Sequence, residues 1–269
     1  MIPFLKWAGG KRQLLETLRI NIPSSYDVYY EPFLGAGALF LDIKPKTAVL
    51  GDINKQLINL WCYVRDNLGI LLLIISWLDR TPCTKERYQL IRKQYNNLKD
   101  EQIAATAAAM LWLNKHCFNG LWRVNSKGEF NVPWNKKEDG CNLDLENLAM
   151  ISTFLQGSVT IKNAPYQEIC SSAAAGDFVY LDPPYDPVSK TANFTSYTQD
   201  LFSDKDQQEL AALVKELSKK QVKVMISNND TDFVRELYKD YDITAVPVRR
   251  SISRDGTTRT GKEVLIKNY

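Results

Sequence analysis

The segment GDFVYLDPPYDP, residues 176–187, places several chemically useful groups at the end of one short apolar run. Residues 178–181 have the composition of a buried strand, and the tetrapeptide DPPY follows directly. Prolines remove backbone donors and end a strand. Backbone carbonyls, the Asp182 carboxylate and the Tyr185 ring are therefore expected to cluster at the end of that strand. This clustering predicts a ligand-binding site.

These groups suit one kind of chemistry, the activation of an exocyclic amine on an aromatic base. Such an amine is a poor nucleophile because its lone pair is delocalised into the ring. The Asp182 carboxylate and the Pro183 carbonyl can accept its two N–H groups and favour a pyramidal nitrogen, while Tyr185 offers a stacking face. No histidine is needed. The chain has only His116, which argues against a Ser–His–Asp hydrolase and a multi-histidine metal site.

A glycine turn and an acidic residue precede this segment and suggest a nucleoside-containing ligand. Gly35 and Gly37 follow a strand-like run, where the absence of side chains lets the backbone approach a ligand. Phe40 occupies the third glycine position of a dinucleotide fingerprint, which disfavours a pyrophosphate site. Asp52 ends the next strand-like run and either binds ribose hydroxyls or caps a helix. Aromatic rings such as Phe33 also suit a sulfonium methyl donor.

The N-terminal motif FLKWAGGKRQLL offers a second glycine turn. Gly9 and Gly10 lie between Trp7 and Lys11, so an aromatic face and a cation can close over a ligand. A capped amphipathic helix anchored by Trp7 is the structural alternative.

The elements that must position these residues alternate along the chain. Strand-like runs are 28–33, 47–52, 159–164, 177–182, 222–228, 241–248 and 263–269. Helical patterns separate many of them, notably the one that begins at Asp204 with Ser203 as its N-cap. This alternation predicts an α/β protein with a mainly parallel, doubly wound sheet that the last two strands close as a hairpin. A mostly helical insertion, residues 55–145, separates the second and third strands.

Composition limits the remaining possibilities. The 269 residues are 45% hydrophobic and 24% charged, as in ordinary globular proteins, and the five cysteines form no CxxC pair. No signal peptide is visible and the longest apolar run, residues 69–78, is too short to span a bilayer, so we expect a cytoplasmic protein without a membrane partner. Three basic clusters suggest a phosphate-tracking surface, with solvated surface as the alternative. They contain Lys6, Lys11 and Arg12; Lys115, Arg123, Lys127, Lys136 and Lys137; and Arg249, Arg250, Arg254, Arg259 and Lys262.

The chain resembles the DNA adenine N6-methyltransferases of the Dam type. The resemblance rests on FLKWAGGK, EPFLGAGALF, GDIN, FNGLWRVNSKGEFNVPW, DFVYLDPPY, ANFTSYT and ISNND in that order. It implies a Rossmann-like mixed sheet of about seven strands and methylation of adenine N6 in duplex GATC sites. The implied methyl donor is S-adenosyl-L-methionine, which leaves as S-adenosyl-L-homocysteine. The implied partner is double-stranded DNA, with no obligate protein partner for a monomeric enzyme.

The resemblance also implies roles for individual residues. Residues 1–54 and 146–269 would form the donor-binding catalytic domain, and 55–145 the target-recognition domain with a hairpin at about 118–137. The donor-binding set is Trp7, Ala8, Gly9, Gly10, Lys11, Phe33, Gly35, Gly37, Asp52, Ile53 and Asp182. The catalytic set is Asp182, Pro183, Pro184 and Tyr185. The DNA-binding set is Lys6, Phe118, Asn119, Leu121, Arg123, Asn125 and Pro133. We add Arg249 and Arg250 as phosphate contacts because their cluster is the densest.

Three other functions are weighed against this one. An N4-cytosine methyltransferase usually has serine where Asp182 stands. A DNA-binding protein that has lost catalysis is disfavoured by the intact Asp182 and Tyr185, and a nicotinamide-dependent oxidoreductase by Phe40. One departure from the family lies after Pro133, where PWNKK replaces a Tyr or Gly-Arg-Tyr continuation. Contacts from that segment, such as Trp134, Lys136 or Lys137, are thus less defined.

Overall fold

A seven-stranded mixed sheet forms the centre of the protein. The computed structural model describes residues 1–7, 11, 14–186, 202–249 and 260–269. Its strands are β1 (Tyr29–Glu31), β2 (Thr47–Asp52), β3 (Ser158–Asn163), β4 (Phe178–Leu181), β5 (Lys223–Asn229), β6 (Asp242–Arg249) and β7 (Thr260–Lys267). Their order across the sheet is β3-β2-β1-β4-β5-β7-β6. The seven strands lie within two or three residues of the predicted runs.

The sheet has the topology that the sequence pattern predicts. Strands β1 to β5 are parallel, whereas β7 runs antiparallel to both β5 and β6. The mainly parallel sheet and the closing hairpin are therefore confirmed. The strand order reverses direction between β1 and β4. In open α/β sheets this switch point opens a crevice at the carboxyl ends of the strands, where ligands bind.

Ten α-helices lie among the described residues. They are α1 (Leu15–Ile20), α2 (Ala38–Ile43), α3 (Lys55–Asp66), α4 (Leu68–Asp79), α5 (Lys85–Leu98), α6 (Ala104–His116), α7 (Leu145–Leu155), α8 (Tyr166–Ile169), α9 (Asp204–Lys219) and α10 (Asp232–Leu237). Ser203 caps α9 in a capping box with Asp206, which confirms the predicted cap. Asn54 caps α3, so the alternative role of Asp52 as a helix cap is wrong.

Helices α3 to α6 occupy the predicted position between the second and third strands. Their core is continuous with one face of the sheet, because Leu50 of β2, Trp61 of α3 and Trp112 of α6 belong to the same buried cluster. The boundaries of the two predicted domains stay a prediction. In the described part of the chain no single helix is long and apolar enough to cross a membrane, and only α3 and α4 together, bent by 112°, reach that length and composition.

Candidate active site

Three acidic residues mark the carboxyl ends of adjacent strands at the switch point. Glu31 ends β1, Asp52 ends β2, and Asp182 follows β4 directly. Since β1 lies between β2 and β4, all three carboxylates belong to the same edge of the sheet. Asp52 and Asp182 were predicted from the sequence, whereas Glu31 was not, although it begins the EPF motif and is buried.

Lys11, Asp182 and Tyr185 form a compact charged group at this edge. The Lys11 ammonium, only 6% exposed, lies 2.9 Å from Oδ1 of Asp182 and 4.5 Å from the centroid of the Tyr185 ring. Burial raises the pKa of Asp182, and the Lys11 charge opposes that rise. Lys11 therefore holds the Asp182 carboxylate toward its ionised, hydrogen-bond-accepting form. Its assignment to a phosphate-tracking surface is wrong, because the side chain is buried.

The Asp182 carboxylate retains acceptor capacity beside the tyrosine. Its buried Oδ1 lies 2.9 Å from the Lys11 ammonium, which neutralises its charge, and a carboxylate has further lone pairs that can accept a ligand's N–H group. The Tyr185 hydroxyl donates to Oε2 of Glu263 on β7 over 2.9 Å. Burial, followed by the charges of Asp182 and Glu263, raises the pKa of Tyr185 well above its ordinary value. The ring is therefore neutral, and its hydroxyl is fixed.

Glu31 is a buried carboxyl group on the neighbouring strand. Its Oε2 accepts from the Tyr29 hydroxyl at 2.7 Å and from the Phe40 N–H at 3.2 Å. Burial raises the pKa of Glu31 to about 8, the two hydrogen bonds lower it, and the Asp182 charge raises it. A cation bound nearby would lower the pKa of Glu31 and thereby favour its negatively charged form.

Side chains from α9 and β5 fix the backbone of the DPPY segment. Gln207 Nε2 donates to the Pro184 carbonyl over 2.9 Å, and Asn228 Oδ1 accepts the Asp186 N–H over 3.1 Å. The Pro184 carbonyl is therefore occupied by Gln207. No described residue donates to the Pro183 carbonyl, and its predicted role as an acceptor for the amine stays a prediction. The sequence signal for Gln207 is its position on the otherwise apolar stripe of α9.

The predicted glycine turn lies against Trp7 and Asp52. Gly35 and Gly37 have φ angles of +47° and +61°, where side chains are strained. A Cβ at Gly35 would lie 2.9 Å from Cδ1 of Trp7. Asp52 accepts the Gly35 N–H at 3.0 Å and the Asn54 N–H at 2.9 Å, and burial raises its pKa to about 6 although the side chain keeps some exposure. Trp7, Gly35, Gly37 and Asp52 of the predicted donor-binding set therefore lie at one turn, and their role in donor binding stays a prediction.

We expect Gly35→Ala to weaken donor binding. Alanine at a positive φ costs about 1–2 kcal/mol, and the added Cβ must displace Trp7 from the turn. Because the displaced Trp7 belongs to the predicted donor-binding set, the dissociation constant of the implied donor, S-adenosylmethionine, measured by calorimetry, should rise about tenfold or more, which is about 1.4 kcal/mol of binding free energy. Gly69→Ala is the matched control, because a Cβ there meets nothing within 4 Å. Equal affinities of the two variants for the donor would show that this turn is not part of the donor-binding site.

A hairpin is present at the position predicted for recognition, and its role in DNA recognition stays a prediction. Antiparallel bridges join Cys117 to Trp134 and Val124 to Phe130. Alternation along the hairpin buries Trp122 and Phe130 and exposes Arg123. Other exposed members of the predicted DNA-binding set are Lys6, Phe118, Asn119 and Pro133, whereas Leu121 is half-buried.

Several contacts organise the DNA-binding candidates on this hairpin. Arg123 Nε donates to Oδ1 of Asn131 over 2.8 Å, which leaves its two terminal amino groups for other acceptors. Asn125 uses its amide for the turn: Oδ1 accepts two backbone N–H groups and Nδ2 donates to Glu129. Its contact with DNA stays a prediction. The contact between Asn131 and Arg123 was not predicted from the sequence, because only the hairpin register pairs the two residues.

One buried amide joins the N-terminal motif to the hairpin. Asn114 accepts the Lys6 N–H at 2.9 Å and donates to the carbonyls of Lys6 and Gly120 at 2.7 and 3.2 Å. The Lys6 side chain crosses Gly120 so closely that a Cβ there would lie 2.5 Å away. Trp7 stacks on Trp122, with 6.1 Å between their centroids. The motif that approaches the glycine turn thus also carries Lys6 to the hairpin.

Some expected site residues lie outside the described residues. They are Ala8, Gly9, Gly10, Arg12, Arg250, Arg254, Arg259 and the segment 193–197, together with the side chain of Arg249.

The single histidine has a structural environment. The ring nitrogens of His116 lie 2.8 Å from the Trp112 carbonyl and 2.7 Å from the Asp139 carbonyl. His116 also lies near Asp79 and Cys141, but the Asp79 oxygens already accept from the Trp112 indole and the Cys141 N–H. This polar cluster fastens α4 to α6.

The fold and site together define an α/β enzyme whose acceptors and aromatic ring suit an amino-bearing base. Residues 7–252 match the model of the D12 class N6 adenine-specific DNA methyltransferases. The chain belongs to this family and is an adenine-specific DNA methyltransferase.

Individual relatives match over nearly their whole length. The chain is 38% identical to the type II methyltransferase M1.LlaDCHI of Lactococcus lactis subsp. cremoris, covering 99% of this chain and 95% of that protein. It is 36% identical to the type II methyltransferase M.MjaIII of Methanocaldococcus jannaschii, covering 99% of each. It is 37% identical to the DNA adenine methylase of Serratia marcescens, covering 99% of this chain and 97% of that protein.

Proposed function

We propose that this adenine-specific methyltransferase uses S-adenosyl-L-methionine to methylate N6 of an adenine extruded from duplex DNA, within GATC sites. The observation that carries the proposal is the Asp182 carboxylate beside the face of Tyr185, at the switch point of the sheet. The catalytic set is Asp182, Pro183, Pro184 and Tyr185, in which Pro184 acts by shaping the segment.

The residues around the glycine turn fit the proposed donor. Asp52 offers a carboxylate for ribose hydroxyls at the end of β2, and Ile53, 65% exposed, offers an apolar surface for a purine. Gly35 and Gly37 form a positive-φ turn in which a Cβ would crowd Trp7 or Trp61, so glycine is needed for the turn that would hold the donor. Glu31 supplies a buried carboxyl for a cation. When bound, S-adenosylmethionine supplies an electrophilic methyl group on a sulfonium.

The chain's own groups then act on the adenine. The Asp182 carboxylate and the Pro183 carbonyl accept the two N6 hydrogens, which concentrates the nitrogen lone pair toward the methyl group. The Tyr185 ring stacks on the base. Lys11 lies over one face of this ring, 4.5 Å from its centroid, so its ammonium must move aside if the base stacks on that face. As N6 gains the methyl group it loses one proton, and the ionised Asp182 is the nearest acceptor in this arrangement.

The hairpin is the proposed DNA-reading element. Phe118 is half-exposed at its start and can wedge into the base stack beside the extruded adenine, with Asn119 next to it. Lys6, Leu121, Arg123 and Pro133 supply groups for base edges, and Asn125 orders the turn. Arg249 and Arg250 are proposed to contact phosphates.

We expect Arg123→Ala to relax discrimination at one guanine. An arginine that binds guanine through two terminal amino groups contributes about 1–3 kcal/mol of discrimination. Asn131 already orients Arg123 through Nε, so Asn131→Ala should reproduce a smaller part of the loss. Competition binding with GATC and single-base variants measures the effect. Lys127→Ala, exposed at the hairpin turn, is the control. Equal weakening on every sequence would exclude Arg123 from base recognition.

The experiment that tests the proposed function is methyl transfer from labelled S-adenosylmethionine to duplexes containing GATC, its single-base variants or no site. Digestion then identifies the methylated nucleoside. N6-methyladenine confined to GATC is the expected result. N6-methyladenine at another site would support the proposed reaction but contradict GATC as the target sequence. Methylation in the absence of S-adenosylmethionine would contradict the proposed methyl donor.

We further propose that the enzyme acts as a monomer in the cytoplasm, where its duplex substrate lies, without an obligate protein partner. Residues 55–145 form the proposed target-recognition domain, and 1–54 with 146–269 the proposed catalytic domain. Sedimentation of the enzyme with and without a duplex measures the stoichiometry. One chain per site is the expected result.

A further inference from the structure

A network of buried side-chain amides lies beneath the catalytic segment. Gln207 of α9 and Asn228 of β5 have almost no exposed surface. Gln207 Nε2 donates to the Pro184 carbonyl over 2.9 Å, and Asn228 Nδ2 donates to Gln207 Oε1 over 3.1 Å. Buried polar groups that satisfy one another in this way rigidify the segment they contact.

The backbone fixes the orientation of both amides. Asn228 Oδ1 accepts two N–H groups, from Asp186 at 3.1 Å and from Asn229 at 2.8 Å. Nδ2 of Asn228 must therefore face Gln207 as a donor, so Gln207 must turn its own Nε2 toward Pro184. Each amide has one orientation that satisfies all its partners. The network consequently selects the Pro184 carbonyl and not the Pro183 carbonyl as its acceptor.

The far end of the segment is held by two further hydrogen bonds. Asn229 Nδ2 donates to the Asp186 carbonyl, and Thr231 Oγ1 donates to Oδ2 of Asp186, each over 2.6 Å. Pro183 and Pro184 have no N–H with which to anchor themselves. The position of Tyr185, between Pro184 and Asp186, therefore depends on groups supplied by α9 and by the end of β5.

We propose that Gln207 and Asn228 are positioning residues for methyl transfer. They hold the Pro184 carbonyl inward, which leaves the Pro183 carbonyl for the N6 amine and sets the Tyr185 ring against the base. This inference rests on the proposed assignment of Asp182 and Tyr185 to catalysis. Neither amide touches the base. Their effect is on kcat, because a displacement of about 1 Å in a reacting geometry can lower the rate about 100-fold.

Gln207→Glu tests this role with almost no change of shape. Above the pKa of the new carboxyl, which burial raises, an ionised carboxylate faces the Pro184 carbonyl without a donor. Below that pKa the protonated carboxyl donates to the carbonyl and restores the contact. We expect kcat to fall on the order of 10- to 100-fold at alkaline pH and to recover as the pH is lowered. The KM for DNA and the calorimetric affinity for S-adenosylmethionine should stay near the wild-type values.

Controls separate positioning from stability and from the proposed function. Asp186 is the ionisable group within the same network, so the ratio of variant to wild-type kcat is followed across pH. Gln208→Glu makes the same change on the exposed face of α9, and Gln207→Met should lower kcat without pH recovery. A lower unfolding temperature with unchanged kcat would overturn the inference. If Asp182→Ala is inactive while Gln207→Glu is fully active, the proposed function stands and the positioning role fails.

Discussion

Asp182→Ala is expected to lower kcat by about 10²- to 10³-fold or more while the protein still binds duplex DNA. The change removes the acceptor for the N6 hydrogens and leaves the Lys11 ammonium without its carboxylate partner 2.9 Å away. The hairpin residues proposed to read DNA are untouched. Single-turnover methyl transfer measures the chemical step, and fluorescence anisotropy measures DNA affinity.

Asp182→Asn refines this prediction, because it keeps the size of the side chain. One of the two carboxylate oxygens is replaced by an NH2 group, which cannot accept a hydrogen bond from the N6 amine and repels its hydrogens. We expect a loss of kcat close to that of alanine. Asp66→Ala is the control, since Asp66 forms an exposed ion pair with Arg65 at the protein surface. Turnover by the Asp182 variants at the level of this control would show that the acceptor lies elsewhere.

Lys11→Met is expected to move the acidic limb of the pH–rate profile to higher pH and to lower kcat at neutral pH. Burial raises the pKa of Asp182, and Lys11 is the main charge that lowers it. Without that charge, a higher pH is needed to ionise the carboxyl. Methionine retains the apolar stem of lysine, so the change isolates the ammonium.

The same variant should lose stability in a pH-dependent way. A carboxyl whose folded-state pKa is raised binds its proton more tightly in the folded state, so stability falls as the pH rises through the carboxyl's titration. We expect a deficit of about 3 kcal/mol at neutral pH, the lower end for a broken buried pair because Asp182 keeps some solvent contact. The deficit should shrink in acid. Lys239→Met breaks an exposed pair with Glu236 and should cost little stability. A pH-independent deficit would contradict this account of Asp182.

Much of the sheet could be predicted because its strands are short apolar runs that end in glycine, aspartate or proline. The run before Asp182 and the run before Asp52 are examples, and both occupy the predicted positions. The parallel arrangement followed from the helices between the runs, and Ser203 marked the start of α9 correctly. In each case the residues that end a strand or cap a helix in the sequence do so in the tertiary structure.

The contacts that fix the site could not be predicted in the same way. Glu263 meets Tyr185 across 78 residues, and Lys11 meets Asp182 across a still longer interval. Such pairs depend on strand order, because β7 inserts between β5 and β6 and thereby brings Glu263 to the catalytic edge. Lys11 also appeared to belong with the basic residues around it. Only its burial assigns it to Asp182.

The way the recognition hairpin is fastened has a consequence for how such enzymes change their target. Asn96 of α5 bonds both the N–H and the carbonyl of Phe130, and the Tyr88 hydroxyl and Arg92 bond the Val132 carbonyl. These hydrogen bonds are made to main-chain atoms, so they do not depend on which side chains the hairpin carries. Outward side chains at the hairpin can thus be exchanged while its attachment persists. If the hairpin reads DNA as proposed, we expect its exposed side chains to vary among related enzymes and to change the preferred sequence while the fold stays the same.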